Sequence, residues 1–134
     1  MAHAVFIQNP NSIYADRPGE TYHFPRRYLT AVVNTVGDWV ILYESRSGAF
    51  GYTGIQKIAS IKPDPKQNDH YFADVVPGSL ETFEQIVPRG KPDGSAWEKV
   101  LRGPDGRPMS GGASVSAVRK LSPEEFWSIC KAGS

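Results

Sequence analysis

The sequence predicts an α+β fold: a small mixed β-barrel of about five or six strands, with one helix early and a second at the C-terminal end. Three observations carry this. Short β-prone runs recur along the chain between Pro- and Gly-rich turns, at no fixed period and with no linker that would split it. Trp39 to Tyr43 is apolar at consecutive positions, the pattern of a strand buried on both faces, as in a closed barrel. Helical spacing occurs twice only, at Leu29, Val32, Val33 and Val36 and again at Phe126, Ile129 and Cys130.

Taken in order, Ala4 to Gln8 reads as the first strand, stopped by the breakers Asn9, Pro10, Asn11 and Ser12. A loop follows, with a tight turn at Pro18-Gly19. Pro25 suits a first helical position because it has no N–H to leave unpaired, so a helix is expected from there to Gly37, with Arg26 and Arg27 in its first turn. After the strand at Trp39, the glycines Gly48, Gly51 and Gly54 mark a turn and a bulge before a strand over Ile55 to Ile61. His70 to Val76 gives another strand, while Leu80 to Val87 fits either a strand or a helical turn. Arg89 to Gly112 is rich in Gly, Pro and charge and reads as a long hairpin or flap around Trp97 to Leu101, mobile at its tip. Ala113 to Lys120 gives the last strand. Ser122 followed by Glu125 then forms a capping box for the terminal helix, which Gly133 ends.

The 134 residues suit one domain, spanning 1–134. With 40% hydrophobic and 22% charged residues the composition is that of an ordinary folded domain. No run approaches the ~20 apolar residues of a membrane span, and Met1 to Pro10 lacks the pattern of a signal peptide. A cytoplasmic location without membrane association is therefore expected, and the lone Cys130 agrees, since it has no intrachain partner. The net charge of +1 supplies no bulk attraction to nucleic acid. Any such affinity must come from a local patch and a shaped site.

Most catalytic chemistries find no support. His3, His23 and His70 have no Cys or carboxylate at metal-ligand spacing, and Gly48 to Gly54 lacks the Lys-Ser/Thr ending of a phosphate loop. Cys130 lies on the apolar face of the terminal helix, where an inert core thiol is the usual case. Ser12, His23 and Asp16 form a hydrolytic set on paper only. No cofactor is implied and no catalytic residue is assigned.

The aromatic density around the first loop does stand out. Tyr14, Tyr22 and Phe24 lie in or beside it, and Trp39 and Tyr43 share one face of the next strand. One reading is a cage that stacks a flat ligand, with Asp16 or Glu44 at its polar edge. Arg17, Arg26 and Arg27 would then contact phosphates at the mouth. The plain alternative is core packing, with the arginines as a solvated face.

Six segments carry a resemblance: Tyr14 to Gly19, Tyr22 to Leu29, Gly37 to Glu44, Ile61 to Pro65, His70 to Ala73 and Ala117 to Phe126. Together, and in this order, they resemble the N-terminal region of bacterial HNH-type restriction endonucleases. That region is similar to the PUA-like superfamily, with its EVE, ASCH, YTH and SRA domains, several of which hold a modified or flipped base in an aromatic pocket. The HNH nuclease motif itself is absent from this chain. The resemblance thus implies a single PUA-like domain without a nuclease, acting as the reader half of a modification-dependent restriction system.

Its expected partner is DNA carrying methylated or hydroxymethylated bases, with the nuclease on another domain or partner. Trp39 and Tyr22 are the expected stacking walls, Tyr14 and Tyr43 each add a hydroxyl, and Phe24 completes the cage. Asp16 would accept from an exocyclic amino group, while Arg102 and Arg119 join the backbone contacts. Two alternatives stay open: an RNA-binding PUA-like module, and a small-molecule sensor or enzyme using the same aromatic pocket.

Overall fold

The computed structural model describes residues 2–8, 19–45, 48–109 and 116–134. Their strands are β1 (His3–Gln8), β2 (Thr21–Pro25), β3 (Trp39–Glu44), β4 (Gly51–Pro63), β5 (His70–Val75), β6 (Glu81–Val87) and β7 (Val118–Leu121). They form a single seven-stranded mixed sheet in the order β2-β5-β4-β3-β1-β7, with β6 added to β4 off this path. β1 and β3 run parallel, and the other strand pairs are antiparallel. Two helices accompany the sheet: the short α1 (Leu29–Val33), entered through a 3₁₀ turn at Arg26–Tyr28, and α2 (Pro123–Ala132). The α+β barrel-like architecture read from the sequence is the one observed.

β4 is the strand around which the sheet curls. It is 13 residues long, and its first half pairs with β3 and β6 while its second half pairs with β5. Register shifts along these ladders let one strand serve two directions, because an extra residue increases local twist and bend. The curl brings β2 back against β1. Phe6 and Tyr22 pack with their rings tilted and centroids 4.5 Å apart, and the Tyr22 hydroxyl donates to the carbonyls of Ile7 (3.1 Å) and Ala117 (3.3 Å). Side chains, rather than ladder hydrogen bonds, join these two strands.

The two faces of the sheet bury separate clusters. Phe6, Tyr22, Phe24, Leu42 and Ile58 fill the inside of the curl with α1 at one end. Val5, Ile41, Tyr52, Phe126 and Ile129 pack between the outer face and α2. This is period-2 alternation along β1 and β3, with Val40, Ile41 and Leu42 all 2% exposed or less. Burying each such side chain contributes about 1.5–3 kcal/mol. α2 starts on the expected capping box, in which the Ser122 hydroxyl accepts from the Glu125 N–H and the Glu125 carboxylate accepts from the Ser122 N–H.

Several local expectations need correction. The early helix is one short turn, because Pro25 closes β2 rather than opening a helix, and Val36 forms a bridge with Ile58. Gly37 then turns the chain at φ 82°, a conformation that favours glycine. Leu80 to Val87 resolves as a strand, with β6 beginning at Glu81. The expected strand over Ile55 to Ile61 is longer and takes in Gly51 and Gly54, while Ala113 to Val115 lie outside the described residues. The flap is no free hairpin. It folds back through the bridges Gly90 with Ala96 and Arg102 with Pro108, and it buries Ala96, Glu98 and Leu101 completely.

Candidate nucleic-acid interface

The parallel pair sets up one distinctive location. Where two parallel strands end side by side, their carboxyl ends open toward the same edge, which in open α/β sheets is a recurrent place for ligands. Here those ends are Gln8 and Glu44, paired in register. Both side chains lie on the inner face, because Phe6 and Leu42, two residues earlier, belong to the inner cluster. Glu44 is half-buried, and its Oε1 accepts from the Ala49 N–H at 2.9 Å. Gln8 is 6% exposed, and its buried Nε2 has no hydrogen-bond partner among the described residues. An unpaired buried amide costs about 1–3 kcal/mol. The same is true of the Nε2 of Gln56, which is fully buried on the inner face opposite Val40 while its Oε1 accepts from the Gly19 N–H.

Polar groups ring the same edge. Tyr22 reaches Ile7 and Ala117 as described, and the Tyr28 hydroxyl accepts from the Ala117 N–H at 3.1 Å. On the outer face, Arg119, which stands opposite Val5, meets Glu98 with its guanidinium through two charge-assisted bonds, 2.7 Å from Nε and 2.8 Å from Nη2. Tyr52 donates its hydroxyl to the same carboxylate. Burial, with Glu98 behind it, pushes the Tyr52 phenol far above its ordinary range. For Arg119 burial works against the charge, but the bonds to Glu98 prevail and hold the guanidinium above its usual value. This buried triad fastens the flap to β4 and β7.

A different polar group lies beyond β5. The ring of His23 stacks on Phe72 at 4.5 Å and its Nε2 is 3.0 Å from Asp64 Oδ2. The Asp64 carboxyl is held below its ordinary range, first by the Lys66 N–H and then by His23. A cavity of about 710 Å³ opens here beside Lys62, Lys66 and Thr21. Its two lysines are matched by Asp64 and Glu20, so it carries no excess of either sign.

The structure separates the residues that the sequence grouped. Tyr14, Asp16 and Arg17 lie outside the described residues. Tyr22 and Phe24 belong to the inner cluster at 2% and 1% exposure, whereas Trp39 and Tyr43 belong to the outer one. Tyr22 and Trp39 therefore cannot be opposite walls of one cage, because the sheet itself lies between them. Tyr43 meets Tyr52 edge-on at 5.1 Å. Arg26, which pairs with Asp69 at 3.5 Å, and Arg27, which lies over the Tyr28 ring, follow the Pro25 end of β2. That end is at the far end of β4 from Glu44, since Pro25 leads through His70 and Tyr71 to Pro63 while Glu44 faces Gly51.

Arg102 is exposed, and its Nε donates to the Ala96 carbonyl at 3.2 Å. Arg119 is a correction: at 5% exposure, with its guanidinium committed to Glu98, it is a buried ion pair and not a phosphate contact. The sequence reading missed Gln8 and Glu98. Gln8 left one signal, a long polar side chain at the inward position of a strand whose previous inward residues are Ala4 and Phe6. Glu98 left none.

No protein-family model matches this chain, and no curated protein matches it in sequence. Solved structures do match, over its whole length. A protein from Agrobacterium tumefaciens is 19% identical, with a TM-score of 0.64, covering 100% of this chain and 94% of the other. One from Pseudomonas syringae is 16% identical with a TM-score of 0.64, covering 99% and 100%. Human THYN1, solved in complex with DNA containing 5-methylcytosine, is 15% identical with a TM-score of 0.61, covering 100% and 98%. The chain shares the fold of these proteins.

Proposed function

We propose that this chain is a nucleic-acid-binding module that reads a modified base, turned out of its duplex, at the edge formed by the ends of β1 and β3. The observation that carries this reading is the whole-chain fold likeness to a protein solved on methylcytosine DNA, with the PUA-like resemblance of the sequence beside it. Gln8 and Glu44 meet the polar edge of the base: the Gln8 amide donates to a ring acceptor and the Glu44 carboxylate accepts from an exocyclic amino group. Turning a base out of the stack costs a few kcal/mol. Satisfying the Gln8 amide recovers about 1–3 kcal/mol of that, and stacking on an aromatic ring a further 1–3 kcal/mol or so.

Tyr14 and Asp16 stay in this proposal on their sequence motif alone, as do a nuclease partner and a place in a restriction system. The direct test is a duplex with a fluorescent adenine analogue stacked beside one 5-methylcytosine. Binding that turns the methylated base out unstacks the analogue and brightens it. Binding with no brightening contradicts base flipping.

A further inference from the structure

The outer face carries a second, acidic site. Between α2, the start of β3 and β6 lies a cavity of about 710 Å³. This is within the range of roughly 300–1,000 Å³ typical of small-ligand sites. Its walls are aromatic: Trp39 from β3, Phe83 from β6, and Trp127 and Phe126 from α2, with one face of Phe126 covered by the ring of His3 from β1, stacked on it at 4.0 Å. Trp127 is 67% exposed and stands nearly perpendicular to Phe126, with centroids 5.6 Å apart, so it offers a ring face instead of filling the core. The charged lining is three carboxylates, Asp38, Glu81 and Glu84, with no Lys or Arg, in a chain whose net charge is +1.

Asp38 is engaged locally, accepting from the Trp39 N–H and lying 3.4 Å from His3 Nδ1. Glu81 and Glu84 form no salt bridge among the described residues. The field of Glu81 is felt inside the cavity, where the Cys130 thiol is pushed up to about 11 by burial first and by Glu81 second.

We infer that this cavity binds a small organic cation bearing an alkylated ammonium group. Ring faces attract a diffuse positive charge through their quadrupole, and open carboxylates add long-range attraction. A bare metal ion fits less well, because among the described residues no three His, Cys, Asp or Glu side chains converge to hold one. Phosphate is repelled by the same carboxylates, so the site is separate from the nucleic-acid edge at Gln8 and Glu44 and does not depend on that reading.

The probe is choline, titrated against its uncharged isostere in which a tert-butyl group replaces the trimethylammonium, with the indole N–H signals of the tryptophans followed by NMR. Choline should give saturable shifts at Trp127 and Trp39, and the isostere should bind about tenfold more weakly or not at all. Trp127→Ala, at an exposed position that leaves the core intact, and the double variant Glu81→Gln with Glu84→Gln should each weaken choline binding several-fold. Equal response to both probes, no saturable shift, or binding untouched by these variants overturns the assignment. So does a stable dimer that Trp127→Ala dissolves, since a second copy would then be the occupant.

Discussion

Gln8 and Glu44 are side-by-side partners on parallel strands, yet among the described residues the Gln8 Nε2 finds no acceptor, not even the neighbouring carboxylate. The Gln8 donor and the Glu44 carboxylate, whose Oε1 accepts from Ala49, are not spent on each other, a pattern that a base edge completes. Gln8→Ala should therefore leave thermal stability unchanged or slightly higher, since it removes an unpaired buried amide. It should lower affinity for the methylated duplex by about tenfold, the equivalent of roughly 1.4 kcal/mol. Thermal melts beside DNA titrations separate this from a packing role, in which stability falls and base preference survives.

Glu98 and Arg119 make the opposite trade. Both are nearly or fully buried, and removing one partner strands the other charge inside the protein. Glu98→Ala should cost about 3–5 kcal/mol in chemical denaturation, far more than a surface salt bridge. Because Glu98 alone ties the flap to Tyr52 and Arg119, amide exchange in residues 88–109 should accelerate in a variant that remains folded, such as Glu98→Gln. Unchanged exchange there would contradict the fastening role.

Asp64 gives the fold a pH dependence whose sign follows from its partners. Its folded carboxyl titrates below the ordinary 3.8, held down first by the Lys66 N–H and then by His23. The contribution is thus fully present above the ordinary value and fades as pH falls through the lower, folded one. The stability gap between the wild type and Asp64→Asn should hold steady above the ordinary 3.8 and shrink as pH is lowered beneath it in denaturant titrations. A gap that stays constant or widens contradicts this.

Cys130 should be a slow thiol. With its titration pushed up to about 11, little thiolate exists at neutral pH. Alkylation by iodoacetamide should run well below the rate of a free cysteine and speed up on unfolding. Fast alkylation of the native protein would show that the site beside Glu81 is more open than its geometry implies.

The sequence disclosed what local chemistry controls and hid what distant contacts decide. The capping box of α2 was legible because Ser122 and Glu125 are three residues apart and act on their own backbone. The strand at Trp39 was legible from its unbroken apolar run. The length of α1 was not, because the bridge that diverts Val36 comes from Ile58, outside any local window. Tyr22 and Trp39 look equivalent in composition, and only the sheet's curl places them on opposite faces. Arg119 reads as a surface cation until Glu98, 21 positions earlier in a segment that looks like loop, arrives beside it. Gln8 was hidden for a different reason: a polar residue at the end of a strand usually faces water.

Reading of a modified base is tested most directly by fluorescence anisotropy of this chain with matched duplexes that differ only in one 5-methylcytosine, at two salt concentrations. Binding to the methylated duplex should be tighter at both, with affinity for each duplex falling as salt rises. Equal affinity for the two duplexes would reduce the interaction to phosphate contacts and contradict a base reader. Absence of binding to either would remove DNA as the partner and redirect the same assay to RNA.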